Sequence, residues 1–332
     1  MSQIKTFSII IPFKNWSPNL DECLTHIQKL SSKEFEVILL PDEAVDLPTA
    51  YQNISVSIIP TGAINPALKR DQGARSSKNQ YLAFIDDDAY PESNWLDVAC
   101  KIFSTRPDMV ALGGPAITPA TDPFWARVSG AVFISRFSGG FPERYVPKPP
   151  SRVIDDWPTV NLIVRRETFE AVGGFDSAYW PGEDTLLCLK IAQKNPKKIL
   201  YVPELIIWHH RRGQLRKHLR QVGNYGLHRG YFAKIFPENS RRVKYFIPTL
   251  WVAFVLAGLA MSFFFKWGYI IYLAGWAVYL ITLAISCKEI CRYETTAVAL
   301  GAIPYILLTH ILYGIRFVQG LATKELKSAL ER

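Results

Sequence analysis

Three apolar stretches, residues 245–265, 267–287 and 295–315, constrain this 332-residue chain more than any other feature. Each is long enough for a helix through the hydrocarbon of a bilayer, which takes about 20 apolar residues. The first two hold no charged residue, and in the third only His310 titrates near neutral pH. A soluble core helix is seldom uncharged over such a length, so the C-terminal third is expected in a membrane. The third stretch is the weakest candidate, because Pro304 would kink it and His310 sits inside it. A re-entrant or interfacial course is open for it. Up to about residue 244 the sequence mixes charged and apolar residues as a soluble α/β domain does.

Charge divides the chain in the same place. Residues 208–244 carry ten Lys or Arg against one acid, Glu238, which accounts for the whole formal net charge of +9. A basic run can bind nucleic acid. This one directly precedes the first apolar stretch, where it would meet anionic headgroups and satisfy the positive-inside rule. No nucleic-acid partner is expected, and the polar part is expected in the cytoplasm at an inner cell membrane. The first apolar run, residues 7–11, is too short for a secretory signal and ends in Pro12. The five cysteines are odd in number and form no CxxC pair, in keeping with a reducing compartment.

Within the polar part, residues 7–11 (FSIII), 35–40 (FEVILL), 56–59 and 81–85 (YLAFI) read as strands buried on both faces. A helix between the first two has Leu20, Cys23, Leu24, Ile27 and Leu30 on one face, with Asn19 and Glu22 spaced as a capping pair. A second helix is expected over residues 65–77. This alternation predicts a doubly wound parallel sheet, whose ligands bind beyond the carboxyl ends of the strands. Lys14 and Asn15, Asp42 and Glu43, and Asp86-Asp87-Asp88 follow three of those strands, so they should share one sheet edge.

Three consecutive aspartates repel one another unless a cation compensates, and a hard ion such as Mg²⁺ or Mn²⁺ suits carboxylate and phosphate oxygens together. A solvated turn is the bland alternative, made weaker by the position at a strand end. Gly182-Glu183-Asp184 opens a helical pattern in which Leu186, Leu187, Leu189 and Ile191 recur. Acids there are favoured by the helix dipole, or one of them serves as a general base. Trp208-His209-His210-Arg211-Arg212 follows a strand-like stretch, residues 199–207, broken by Pro203. Its histidines either complete a metal site or join the basic surface.

Taken in order, these pieces resemble the family-2 inverting glycosyltransferases. The resemblance is carried by Ser8-Ile9-Ile10-Ile11-Pro12, the acid Asp42, Lys69-Arg70-Asp71-Gln72-Gly73-Ala74, and Tyr81 to Pro91 with its aspartates. It continues through Asn161-Leu162-Ile163-Val164-Arg165-Arg166, Val172-Gly173-Gly174-Phe175-Asp176 and Gly182-Glu183-Asp184. The resemblance implies a GT-A (Rossmann-like) α/β fold over residues 1–240, with an interfacial basic helix at about 211–240. A membrane region of about three helices over 241–332 follows. It further implies that Pro12, Phe13, Asp42, Arg70, Asp86 and Asp87 bind the nucleotide-sugar donor. Asp86, Asp88 and His209, or alternatively His210, would hold Mg²⁺ or Mn²⁺, and Asp184 would be the catalytic base. Glu183 and Trp180 would lie on the acceptor side.

Two departures limit what carries over. Many members have two acids followed by Gly-Ser after the second strand, where this chain reads Pro41-Asp42-Glu43-Ala44, so the nucleotide base stays open. The Q-x-x-R-W motif of processive polysaccharide synthases is replaced by a run from Gln221 to Gly230, expected as an amphipathic interfacial segment. With the trailing apolar stretches, that run is closer to exopolysaccharide and lipid-linked oligosaccharide transferases. The expected reaction is sugar transfer to a polyprenyl-linked acceptor for a cell-surface glycan. A polyprenyl-phosphate sugar synthase, a processive synthase and a catalytically inactive membrane scaffold are the alternatives. Expected partners are the donor, the lipid-linked acceptor and membrane lipids, with a homo-oligomer or other polysaccharide-synthesis proteins left open.

Overall fold

The computed structural model describes residues 6–175 and 179–326. Asp176, part of the resemblance above, lies outside them. Contacts divide the described chain into two units, residues 6–117 with 146–210, and residues 118–145 with 211–326.

The first unit begins with β1 (Phe7–Pro12), α1 (Pro18–Gln28), β2 (Phe35–Leu40), β3 (Val56–Ile58), α2 (Pro66–Ser76) and β4 (Tyr81–Phe84). After β5 (Ala89–Pro91) come α3 (Trp95–Thr105), β6 (Ala111–Gly113) and β7 (Ala116–Ile117). Helix α4 (Phe124–Ala131) belongs to the second unit. The first unit resumes with β8 (Arg152–Ile154), β9 (Leu162–Arg165), α5 (Arg166–Ala171), α6 (Glu183–Lys194), β10 (Ile199–Tyr201) and β11 (Ile207–His209).

The main sheet runs β3-β2-β1-β4-β9-β6-β10-β8. Strands β3, β2, β1 and β4 are parallel, as the continuous apolar runs predicted. Strand β9 is antiparallel to both β4 and β6, and β8 is antiparallel to β10. The sheet is therefore mixed, which corrects the all-parallel expectation. Side chains alternate across it as the pleat requires. Ile9 and Ile11 pack with Leu24, Trp95 and Phe103 on one face, and Ile10 packs with Phe84, Phe169 and Leu187 on the other. Each of these fully buried side chains contributes about 1.5–3 kcal/mol.

The N-cap of helix α1 lies two residues earlier than expected. Ser17, not Asn19, is the N-cap, and its Oγ accepts from Leu20 N at 3.2 Å. Pro18 at the first helical position explains the shift, since its fixed φ suits that place and its missing N–H costs nothing there. The stretch 199–207 is two strands, β10 and β11, separated at Pro203. That separation lets β11 leave the main sheet and join β5 and β7 in a small sheet of its own.

The second unit adds α7 (Leu215–Ile235), α8 (Pro237–Ser240), α9 (Val243–Ser262), α10 (Lys266–Ile290) and α11 (Thr296–Ala322) to α4. Helices α9, α10 and α11 are each long and apolar enough to cross a membrane. Pro304 lies within α11 without ending it. The face of α7 that carries the glycines of the 221–230 run packs against α11. A Cβ on Gly230 would stand 2.0 Å from the Phe317 carbonyl oxygen, and one on Gly320 would stand 2.1 Å from that of Leu227. Only glycine lets the two backbones come so close. Gly230→Leu is therefore expected to cost about 3 kcal/mol by overpacking, read as a lower Tm in detergent, while the exposed Tyr225→Leu should leave Tm nearly unchanged.

Candidate active site

The parallel register sets Pro12 beside Leu40 and Ile10 beside Phe84. The chain therefore leaves β1, β2 and β4 at one edge, and Phe13, Asp42 and Asp86 follow there. Helix α2 supplies the cations for that edge. Asn65 caps it, its Oδ1 accepting from Leu68 N at 2.9 Å. Successive side chains of the helix then point to successive parts of the edge.

Lys69 is 3 % exposed, and its Nζ donates to the carbonyls of Phe13 (2.6 Å) and Leu40 (3.0 Å) and to Asp42 Oδ1 (2.6 Å). Arg70, 4 % exposed, donates from Nη2 to Asp86 Oδ1 at 2.5 Å and from Nη1 to Glu183 Oε1 at 3.1 Å. Asp71 Oδ1 accepts from Phe175 N at 2.9 Å and fixes the turn after α5. Gly174 in that turn has φ +66°, and a Cβ there would meet Asp71 Oδ1 at 2.6 Å. Glycine is required on both counts.

Asp86, Asp87 and Asp88 form the turn between β4 and β5. Antiparallel pairing of β5 with β11 sets Ala89 opposite His209, and His210 N donates to the Asp88 carbonyl at 3.0 Å. His209 Nε2 lies 3.1 Å from Asp88 Oδ1. One ligand atom each from Asp86, Asp88 and His209 falls within 4.8 Å of the other two. The two carboxylate oxygens suit Mn²⁺ or Mg²⁺, and the imidazole nitrogen is better matched to Mn²⁺ than to the harder Mg²⁺. His210 is turned elsewhere, its Nε2 2.8 Å from Glu22 Oε2, and Asp87 stands outside the candidate metal group.

Glu183 and Asp184 open α6 behind the N-cap Gly182, and Trp180 lies half-buried just before it. The two acids differ in access. Glu183 is buried, with Oε1 on Arg70 and Oε2 accepting from Gly182 N at 3.0 Å. Burial and the neighbouring Asp184 charge push its carboxyl up to about 7, against the lowering effect of Arg70. Asp184 is only partly buried, and its Oδ1 accepts from Thr185 N at 2.7 Å. For Arg70, burial opposes the charge, but Asp86 and Glu183 outweigh it and raise the guanidinium pKa.

Pro12 and Phe13 are both buried, and the Phe13 ring belongs to the core, packed edge-on to Trp16. What Phe13 gives the site is its carbonyl, held by Lys69. Lys69 itself was not singled out from the sequence. The signal available was that residues 66–76 contain almost no apolar face, although the helix stands between two buried strands. Asn161 was likewise missed. Its side chain is fully buried and ties Trp95 Nε1 to the carbonyls of Pro115 and Leu205.

The sequence pattern of glycosyl transferase family 2 matches residues 8–172. A pre-mycofactocin glycosyltransferase of Mycobacterium tuberculosis is 26 % identical over 230 residues, 66 % of this chain and 46 % of its own length. A glucosyl-dolichyl phosphate glucuronosyltransferase of Haloferax volcanii is 25 % identical over 141 residues, 40 % of this chain and 43 % of its own. The chain thus spans about half the length of these curated relatives. Among solved structures, a mannosyltransferase from Pyrobaculum calidifontis, in complex with GDP-Man and Mn²⁺, shares the fold with a TM-score of 0.57 at 16 % identity. That match covers 98 % of this chain and 89 % of the other.

Proposed function

The chain belongs to glycosyl transferase family 2, and from that membership we propose a metal-dependent inverting glycosyltransferase. It would move a sugar from a nucleoside-diphosphate sugar to a polyprenyl-linked glycan acceptor at a membrane, for cell-surface polysaccharide synthesis. The carrying observation is the Arg70 bridge, which joins Asp86 of the candidate metal group to the Glu183-Asp184 pair. It joins the candidate metal group and the candidate base at the same strand edge.

In the proposed reaction an acceptor hydroxyl oxygen bonds to the anomeric carbon as the bond from that carbon to the diphosphate oxygen breaks. Asp184 takes the hydroxyl proton, and the leaving diphosphate keeps the electron pair. A single displacement inverts the anomeric configuration. Asp86, Asp88 and His209 would hold Mg²⁺ or Mn²⁺, which as a Lewis acid stabilises the charge growing on the diphosphate. Asp42, fixed by Lys69, would receive the nucleotide base, with Pro12, Phe13, Asp87 and Arg70 nearby on the donor side. Glu183 and Trp180 flank the base on the acceptor side, with Glu183 acting through Arg70 as a positioning residue. The three apolar helices and the basic run before them support a membrane location, with the catalytic unit cytoplasmic at an inner membrane. The dolichyl-phosphate substrate in the name of the Haloferax relative supports a lipid-linked acceptor.

The test is a donor screen on purified protein in detergent, following release of nucleoside diphosphate. Turnover with one donor is expected in Mn²⁺ or Mg²⁺, abolished by EDTA and restored by metal. Asp88→Asn should lower it by about 10²-fold or more through lost charge stabilisation. Full turnover in EDTA would reject the metal assignment. Nucleotide protection without turnover on any donor, lipid extract included, would favour the scaffold alternative.

A further inference from the structure

Helix α11 is the longest of the three apolar helices, yet it differs from the other two in what surrounds it. Of its most apolar window 39 % is buried, against 6 % for α9 and 17 % for α10. Besides α9 and α10, which also pack on it, it has two flanking partners that carry charged residues. From residue 294 to 310 it is flanked by the 118–145 segment. Arg127 pairs with Glu294 at 2.5 Å, Trp125 stacks on Tyr305 with ring centroids 6.0 Å apart, and the Ser138 carbonyl lies 3.0 Å from His310 Nε2.

From residue 309 to 323 α7 flanks it on one side, while α9 packs against Gly314 and Phe317. His218 Nε2 lies 2.9 Å from Thr309 Oγ1, Gly226 and Gly230 press on Tyr313 and Phe317, and Lys234 Nζ donates to the Thr323 carbonyl. Along this stretch α7 exposes Arg216, Lys217, Arg220 and Lys234, and α11 itself carries Arg316, paired with Gln319 at 2.7 Å. If α11 stood along the membrane normal, these cations would be carried through the hydrocarbon beside it. Helices α9 and α10 carry no such burden, because no charged residue occurs in residues 245–265 or 267–287.

The face of α11 turned away from its partners is a single narrow stripe. Leu300, Pro304, Ile315, Val318 and Ala322 are exposed on it at helical spacing and are apolar, with the exposed Thr296 and Gln319 at its borders. An apolar stripe on one side with cations on the flanking helix is the pattern of a helix lying at the boundary of headgroups and acyl chains. We propose that α11 lies in the membrane plane. Its stripe would rest on the acyl chains, α7 would place its cations among anionic headgroups, and only the α9–α10 hairpin would go deeper. Residues 291 and 324 then emerge on the same membrane face. The inference is independent of the reaction proposed above.

Cysteine accessibility in the full chain tests this. Cys23 and Cys188 are buried, and Cys100→Ser with Cys287→Ser leaves the exposed Cys291 as the reporter before α11. Adding Cys291→Ser and Lys324→Cys moves the reporter beyond its end, and Glu325→Cys is an equivalent second choice. Sealed vesicles of each orientation are treated with a membrane-impermeant maleimide. The expected result is that both reporters react in the same vesicle orientation. Reaction in opposite orientations would make α11 a full crossing and overturn the proposal. A reporter shielded from both sides until detergent is added would overturn it as well, by placing that end in hydrocarbon.

Discussion

Asp184→Asn is expected to lower transferase turnover by about 10²–10⁴-fold, the range that a positioned general base supplies, while donor binding survives. The reason lies in the contrast between two adjacent acids at the start of α6. Glu183 is buried and bound to Arg70 and to the Gly182 N–H, whereas Asp184 is partly open and can meet an acceptor hydroxyl. An amide at Asp184 keeps the shape of the side chain and its acceptor oxygen toward Thr185 N, so folding should be unaffected, but it cannot take a proton. Glu183→Gln should cost much less turnover. Its carboxyl is raised to about 7 by burial and is therefore largely neutral below that pH, and an amide can still accept from Arg70. Single-turnover kinetics on the preferred donor, with nucleoside-diphosphate protection for binding, separates the two effects. A larger loss in Glu183→Gln than in Asp184→Asn would reverse the assignment of base and positioning residue.

How much of this was legible in the sequence depends on whether the information is local. Strands β1, β2 and β4 announce themselves as unbroken apolar runs, and the polar residues ending them fall on one edge once the strands are parallel. Strand direction has no local signature. Leu162–Arg165 would read the same in either sense, so the reversal at β9 came only with the fold. The Lys69 site was hidden for a similar reason. A lysine in a polar helix looks solvated until the carbonyls of Phe13 and Leu40 and the Asp42 carboxylate close on it from two strands. His209 reaches the candidate metal group through β5–β11 pairing across about 120 residues of sequence separation, a distance at which spacing alone says nothing. The choice between His209 and His210 therefore rested on resemblance, and the geometry separates them, one near Asp88 and the other on Glu22.

Arg70→Met is expected to destabilise the first unit by about 3–5 kcal/mol, the cost of removing one member of a buried charge pair. Methionine fills the space of the stem but leaves Asp86 and Glu183 facing each other without the cation between them. The loss should depend on pH in a definite sense. Glu183 already has a carboxyl raised above its ordinary value by burial and Asp184, with Arg70 opposing the rise. Without Arg70 it rises further. A carboxyl whose folded pKa lies above its unfolded one holds its proton longer in the folded state, so stability falls as pH climbs through that window. The deficit of Arg70→Met relative to the parent should therefore be larger at about pH 8 than at about pH 5, measured as the difference in Tm between the two proteins at each pH. Adding Glu183→Gln to Arg70→Met should restore much of the lost Tm at the higher pH by removing the orphaned carboxylate, yet activity should not return, since Asp86 still lacks the group that positions it. A deficit that is the same at both pH values, or that the second substitution leaves untouched, would mean that Arg70 stabilises the unit through packing on Phe175, whose ring lies 5.9 Å from the guanidinium carbon, and not by neutralising the acids.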